Sequence, residues 1–287
     1  MDDNIYDKPN HCPVPKGVLL VIGGAEDKGD QEKNDLAEGV KMEVLNCFIK
    51  LLNQKAPVIE VITTAGSSDP EGSFEEYKKT FTELGAHQVN HIHHDQRNEI
   101  DFPNLENRLK ACHGIFLAGG DQLKLTSIYG GTKLLWLLKQ RYIHEKIVIA
   151  GTSAGAMAMS TPMIYAGVGR DEMINGNVKI TTGLEFIRDV CVDTHFVDRG
   201  RFVRMAQVIA TNPTCIGVGV EEDTALIIRN GKDAEVLGTG VVIILNGLNS
   251  TTSNIAKGAL LTLRGLQVEI LSKGEIYSLP EINPPHK

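Results

Sequence analysis

The residues best suited to chemistry converge on Gly151-Thr152-Ser153-Ala154-Gly155, which follows the apolar run Lys146 to Ala150 and precedes the helix-prone Ala156 to Met159. A serine that attacks a carbonyl must project from a tight strand-to-helix turn, and small neighbours let the strained backbone pass. A G-x-S-x-G string after a buried strand supplies both. The five residues are common ones, so the context rather than the string carries the reading of Ser153 as nucleophile. The N–H groups that open the following helix can face a developing oxyanion. A second Gly-rich turn, Leu117 to Gln122, also follows a buried strand. Turns at the carboxyl ends of neighbouring strands share one crevice in an open α/β sheet, which makes Gly120 a candidate oxyanion donor.

A serine nucleophile needs a base. His195, in Val192-Asp193-Thr194-His195-Phe196, lies just beyond a predicted strand end and is the best placed of nine histidines. The rival cluster His91, His93 and His94 is flanked by Asp95, Gln96, Arg97 and Asn98, and reads as a solvated loop rather than a metal site. The base in turn needs an acceptor, and Glu221, Glu222 and Asp223 all stand at the end of the apolar run Ile216 to Val220. Periodicity does not choose among the three. The order Ser, His, acid differs from the Ser, acid, His order of α/β-hydrolases and argues against that fold. Directly after His195, Arg199, Arg201 and Arg204 fall within six positions. On a helix, Arg201 and Arg204 share a face and form a fork for a ligand carboxylate. The loop Gly23-Gly-Ala-Glu-Asp-Lys28 follows the first strand, but it lacks both G-x-G-x-x-G and the Walker pattern, and its acids repel phosphate.

Positioning these groups requires a sheet. Val18 to Ile22, Val58 to Ile62, Gly114 to Ala118 and Lys146 to Ala150 are nearly continuous apolar runs, the pattern of parallel strands buried on both faces, with Gln88 to Ile92 as a weaker edge strand. Helical spacing predicts Asp35 to Asn53, Ser73 to Leu84 and Lys133 to Gln140 between them. The alternation implies a doubly wound, mostly parallel α/β sheet. Strand candidates at 190–193, 216–220, 224–228, 234–237, 241–245 and 267–271, separated by turns such as Asn230-Gly231, predict an antiparallel C-terminal extension. Residues 1–16, with three prolines, read as an irregular arm, and 17–287 as a single α/β domain.

Composition narrows the class. The chain has 287 residues, 42% hydrophobic and 23% charged, with a net charge of -7 and a pI near 5.7. That balance disfavours nucleic-acid binding, which uses a basic face. No apolar run approaches the roughly 20 residues of a membrane span, and Met1 to Asn4 lack the basic start of a secretory signal. Five cysteines without CxxC spacing suggest neither a zinc site nor a disulfide framework, and fit reduced thiols in a cytoplasm.

Taken together, Gly23 to Lys28, Gly119 to Gln122, Gly151 to Ala156, Asp193 to Phe196 with Arg199 to Arg201, and Glu221 to Ala225 resemble the ordered motifs of cyanophycinases. These belong to a serine peptidase family that also holds the aspartyl dipeptidase peptidase E. The resemblance implies a fold similar to class I glutamine amidotransferases, with serine in place of their cysteine, and a triad of Ser153, His195 and Glu222. It implies an oxyanion hole at the amides of Gly120 and Ala154. It also implies substrate contacts at Gln122, Asp193, Thr194 (glutamine in some members), Arg199, Arg201 and Arg204, with Asp193 or Glu221 as acids for a guanidinium. The implied reaction is hydrolysis of β-aspartyl-arginine linkages of cyanophycin with release of β-Asp-Arg dipeptides, through an acyl-enzyme on Ser153. No metal or cofactor is called for, and a cytoplasmic homodimer is expected. Rival readings are a peptidase E-like or isoaspartyl dipeptidase acting on small acidic peptides, and a non-catalytic amidotransferase-like binding module. The chain beyond Asn230 matches no motif of the set.

Overall fold

A computed structural model describes residues 13–29, 40–66 and 68–280. The apolar runs form five strands, β1 (Val18–Ile22), β2 (Val58–Ile62), β3 (Gln88–Ile92), β4 (Gly114–Leu117) and β5 (Val148–Thr152). They pair in parallel in the order β1-β5-β4-β2-β3. Alternate side chains point to opposite faces, so each strand feeds two cores. Leu20, Ile22, Ile59 and Phe116 pack with Val44, Phe48, Phe74 and Phe81 of helices α1 (Glu43–Leu52) and α2 (Pro70–Glu83). Leu19, Val21, Ile115 and Ile149 face α3 (Phe102–Ala111), α4 (Gln122–Tyr129) and α5 (Lys133–His144), through Leu105, Leu109, Leu125 and Leu138. The sheet is therefore covered on both sides, as the predicted alternation requires.

Boundaries differ where local chemistry overrides periodicity. The predicted helix start at Asp35 and most of the N-terminal arm, with Cys12, lie outside the described residues, and α1 begins at Glu43. Helix α2 begins three residues earlier than its apolar pattern suggests, because Asp69 accepts from the Gly72 amide and Pro70 occupies the first turn.

The second half does more than extend the first sheet. Thr224–Arg229, Asp233–Gly238 and Ile276–Ser278 add antiparallel strands beyond β1, giving eight in all. Val190–Thr194 and Ile216–Val220 instead pair in parallel at the heart of a second, six-stranded sheet. Helix α7 (Phe202–Thr211) packs against it through Met205, Val208 and Ile209. One continuous apolar cluster contains residues of both sheets, including Leu19, Val192, Val218 and Ile244. Among the described residues no helix is long and apolar enough to cross a membrane.

Candidate active site

Strand β5 runs on through Gly151 and Thr152, which pair with Val21 and Ile22, and hands the chain to the five-residue helix α6 (Ala154–Ala158). Ser153 sits between them at φ 51°, ψ -116°. A non-glycine residue held there is strained by about 1–3 kcal/mol. The turn closes tightly because α6 presses on the end of β4. A Cβ on Gly155 would lie 2.8 Å from the Leu117 carbonyl carbon.

The loop after β1 fixes the site from beneath. Ser153 donates its amide to the Ile22 carbonyl at 3.1 Å, His195 to that of Gly23 at 2.9 Å, and Asp223 to that of Gly24 at 2.9 Å. Three consecutive carbonyls thus hold the turns that carry the serine, the histidine and the acidic run. Above them Ser153 Oγ lies 2.9 Å from His195 Nε2, and His195 Nδ1 is hydrogen-bonded to Glu222 Oε1. The other two acids are engaged elsewhere. Glu221 accepts from the amides of Val197 and Asp198. Asp223 accepts from the Asp27 amide at 3.1 Å and Thr239 Oγ1 at 3.0 Å, and burial raises its carboxyl above the usual range.

Gly24, at φ +100°, backs directly onto the imidazole. A Cβ there would stand 2.5 Å from His195 Nε2. Displacing a base by about 1 Å costs on the order of 100-fold in rate. Gly24→Ala should therefore lose at least that factor in kcat/KM. Gly85→Ala is the matched control, since Gly85 has φ +102° with nothing within 4 Å of its would-be Cβ. It should lose stability from the same backbone strain yet keep full activity, as thermal melts and steady-state kinetics on both variants would record.

The remaining sequence candidates divide into near and internal groups. Gly120 lies in the turn after β4, and Ala154 follows Ser153 at the first position of α6. The adjacent Gly119 would place a Cβ 3.4 Å from Ser153 Cβ. Gln122 opens α4 and donates to the Ile164 carbonyl at 2.8 Å. Arg199 is exposed, and its side chain has no partner among the described residues.

Asp193, Thr194 and Arg204 lie inside. Asp193 and Thr194 have no exposed surface, and Arg204 is 4% exposed. The predicted fork does grip a carboxylate, but the carboxylate is that of Asp193. Arg201 Nη1 reaches it at 3.0 Å and Arg204 Nε at 2.5 Å, with a further contact from Arg204 Nη2. Arg201 also donates to the Thr194 carbonyl at 2.7 Å. These residues brace the segment that carries His195, and burial lowers the Arg201 guanidinium below its ordinary value. Neither acid expected to meet a guanidinium, Asp193 or Glu221, opens onto Ser153.

A cavity of about 420 Å³ does so, lined by Glu26, Lys28, Tyr77, Gly119, Thr152, Ser153 and His195. The sequence assigns no site role to Glu26, Tyr77 or Thr152, because the first loop matches no phosphate motif and Tyr77 sits on an ordinary amphipathic helix. Glu26 is 5% exposed and accepts from Tyr77 Oη at 2.6 Å and Thr152 Oγ1 at 2.5 Å. Burial, then the charge of Glu26, push the Tyr77 hydroxyl well above its usual range and keep it a donor. Lys28 Nζ lies 4.3 Å from the Tyr77 ring centre and 2.9 Å from Glu76.

The histidine cluster is less solvated than its neighbours in sequence imply. His94 is buried against Tyr129 Oη at 2.9 Å, and His91 and His93 share Thr63 Oγ1. Among the described residues no group of three or more His, Cys, Asp or Glu side chains could hold a metal. Cys47, Cys112, Cys191 and Cys215 are free, and burial pushes the Cys112 thiol up to about 12.

Comparison with known proteins agrees with this architecture. Cyanophycinase of Nostoc sp. (strain PCC 7120) is 34% identical over 268 residues, 92% of this chain and 86% of that protein. Cyanophycinase of Geminocystis herdmanii (strain PCC 6308) is 31% identical over 92% of this chain and 94% of its own. A crystal structure of a peptidase from an acI-B1 Actinobacterium shares the fold with a TM-score of 0.66, covering 93% of this chain and 98% of that one at 23% identity. A putative peptidase E from Listeria monocytogenes EGD-e is more distant, with a TM-score of 0.51, 17% identity, and coverage of 80% and 100%. Residues 19–236 match peptidase family S51, and on that match and these relatives the chain belongs to this family of peptidases.

Proposed function

We propose that the protein is a cyanophycin-degrading serine peptidase in which Ser153 is the nucleophile, His195 the general base and Glu222 its orienting acid. The observation that carries the chemistry is the 2.9 Å contact of Ser153 Oγ with His195 Nε2, with Glu222 on the opposite ring nitrogen. The relatives named cyanophycinase support the substrate. Glu222 at Nδ1 holds the ring so that Nε2 takes the serine proton. The alkoxide adds to the scissile carbonyl, and the amides of Gly120 and Ala154 receive the oxyanion. The histidine then protonates the departing amine, leaving an acyl group on Ser153, and water activated by the same imidazole releases it.

The identity of the product decides which bond is cut. A β-Asp-Arg dipeptide keeps its β linkage, so the bond broken is not the β-aspartyl-arginine linkage expected from the sequence but the one that joins successive aspartyl units of the polymer. Exposed Arg199, and the nitrogens of Arg201 left free by Asp193, are available to the substrate's carboxylates. Gln122, which donates to the Ile164 carbonyl, is read as a further substrate contact. Asp193, Thr194 and Arg204 serve by positioning, since they are buried. The same reading carries a cytoplasmic homodimer, supported by likeness to the cyanophycinases and by unpaired cysteines.

Digestion of cyanophycin followed by mass spectrometry tests the proposal. The expected product is β-Asp-Arg, with α-aspartyl dipeptides turned over at least about 100-fold less efficiently, the discrimination a site built for a polar group provides. Free arginine as the soluble product, or a preference for α-aspartyl dipeptides, overturns it. The latter result would favour a peptidase E-like activity.

A further inference from the structure

We infer that Glu26 is a specificity-determining residue, whose carboxylate in the wall of the cavity receives the guanidinium of an arginine-bearing substrate. The inference rests on the peptidase reading above and deepens it. Of the carboxylates that sequence reading offered for this task, Asp193 is closed in by two arginines and Glu221 by two backbone amides. Glu26 instead lines the cavity that contains Ser153 and His195.

Its bonding is incomplete in a particular way. Each oxygen accepts one hydroxyl, Oε1 from Tyr77 and Oε2 from Thr152. A carboxylate offers about four lone-pair sites, so each oxygen retains one. No cation lies within ion-pairing distance of Glu26 among the described residues, and Lys28, two positions on, pairs with Glu76 instead. A buried carboxylate held, among the described residues, only by neutral hydroxyls is costly unless a cation joins it. Two oxygens with one free lone pair each match the planar two-pronged edge of a guanidinium better than the single point of an ammonium. The negative charge also excludes anions, in keeping with a loop whose acids repel phosphate. Because Thr152 precedes Ser153, the group that holds the cation also touches the turn that presents the nucleophile.

The test uses the full-length Ser153→Ala protein, which binds without turnover, and two dipeptides of the same shape. β-Asp-Arg carries the guanidinium, and β-Asp-citrulline carries a neutral urea in its place. Calorimetry should show β-Asp-Arg binding about 10- to 100-fold more tightly, the range for a hydrogen-bonded charge pair. Adding Glu26→Gln, which keeps the size but removes the charge and turns one acceptor oxygen into an NH2 donor, should collapse that gap to within about threefold. Thermal melts of Ser153→Ala with and without Glu26→Gln should agree within a few degrees, which separates loss of the guanidinium contact from loss of the fold. A gap that survives Glu26→Gln, or a parent that does not prefer the guanidinium, overturns the inference. Failure of the wild-type protein to digest cyanophycin bears instead on the peptidase reading, and is measured separately.

Discussion

Ser153→Ala should lower the rate of polymer hydrolysis by about 10⁴- to 10⁶-fold, the loss seen when a triad serine is removed. The expectation follows from geometry, since among the described residues Ser153 carries the one hydroxyl hydrogen-bonded to His195 Nε2, while those of Tyr77 and Thr152 bond Glu26. The residual rate would reflect the oxyanion donors and substrate binding alone. Alanine can occupy the same strained backbone at φ 51°, so the melting temperature should stay within a few degrees of the parent. Glu222→Gln should follow at about 10³- to 10⁴-fold, because an amide N–H facing Nδ1 favours the tautomer that cannot accept from serine. Single-turnover assays on purified protein would separate these effects from binding. Wild-type turnover by Ser153→Ala would refute the assignment.

Asp193→Asn should act on stability first. The substitution leaves Arg201 and Arg204 in the interior with a neutral partner that offers one acceptor where the carboxylate offered two. Breaking a buried ion pair in this way typically costs about 3–5 kcal/mol. For a chain of this size that is a fall on the order of 10 °C in melting temperature. Activity measured well below the new midpoint should also drop, because the neighbouring Thr194 and His195 lose their brace. An unchanged melting curve with a raised KM would restore the view that this carboxylate and its arginines face the substrate.

Much of this was legible in the sequence because it is local. The apolar runs of β1, β2 and β4 are buried on both faces, and their composition says so. The end of β5 is harder, since Gly151 reads as a breaker yet pairs with Val21 in the parallel ladder. Helix α3 escapes periodicity because it buries only Leu105 and Leu109, although Asp101 as cap and Pro103 in the first turn mark its start. In the site, Ser153 and His195 announce themselves by turn chemistry and by proximity to strand ends. Choosing Glu222 over its neighbours depends on which way three adjacent side chains point across a turn, and periodicity carries no such information. Arg201 and Arg204 fall on one face as their spacing requires. That their carboxylate comes from Asp193, 8 and 11 residues upstream, is a fact of tertiary packing. Glu26 is the extreme case, acting through Thr152 at a separation of 126 residues.

The carbonyls of Ile22, Gly23 and Gly24 have a consequence for how the site can fail. Ser153, His195 and Glu222 come from three distant stretches of chain, yet each stretch is pinned to the same short piece of backbone. They cannot come loose one at a time through that loop. Any excursion that peels it from the strand end disarms all three together, and its return rearms them together. The loop thus works as a single latch, and hydrogen exchange at the amides of Ser153, His195 and Asp223 should show the three opening together.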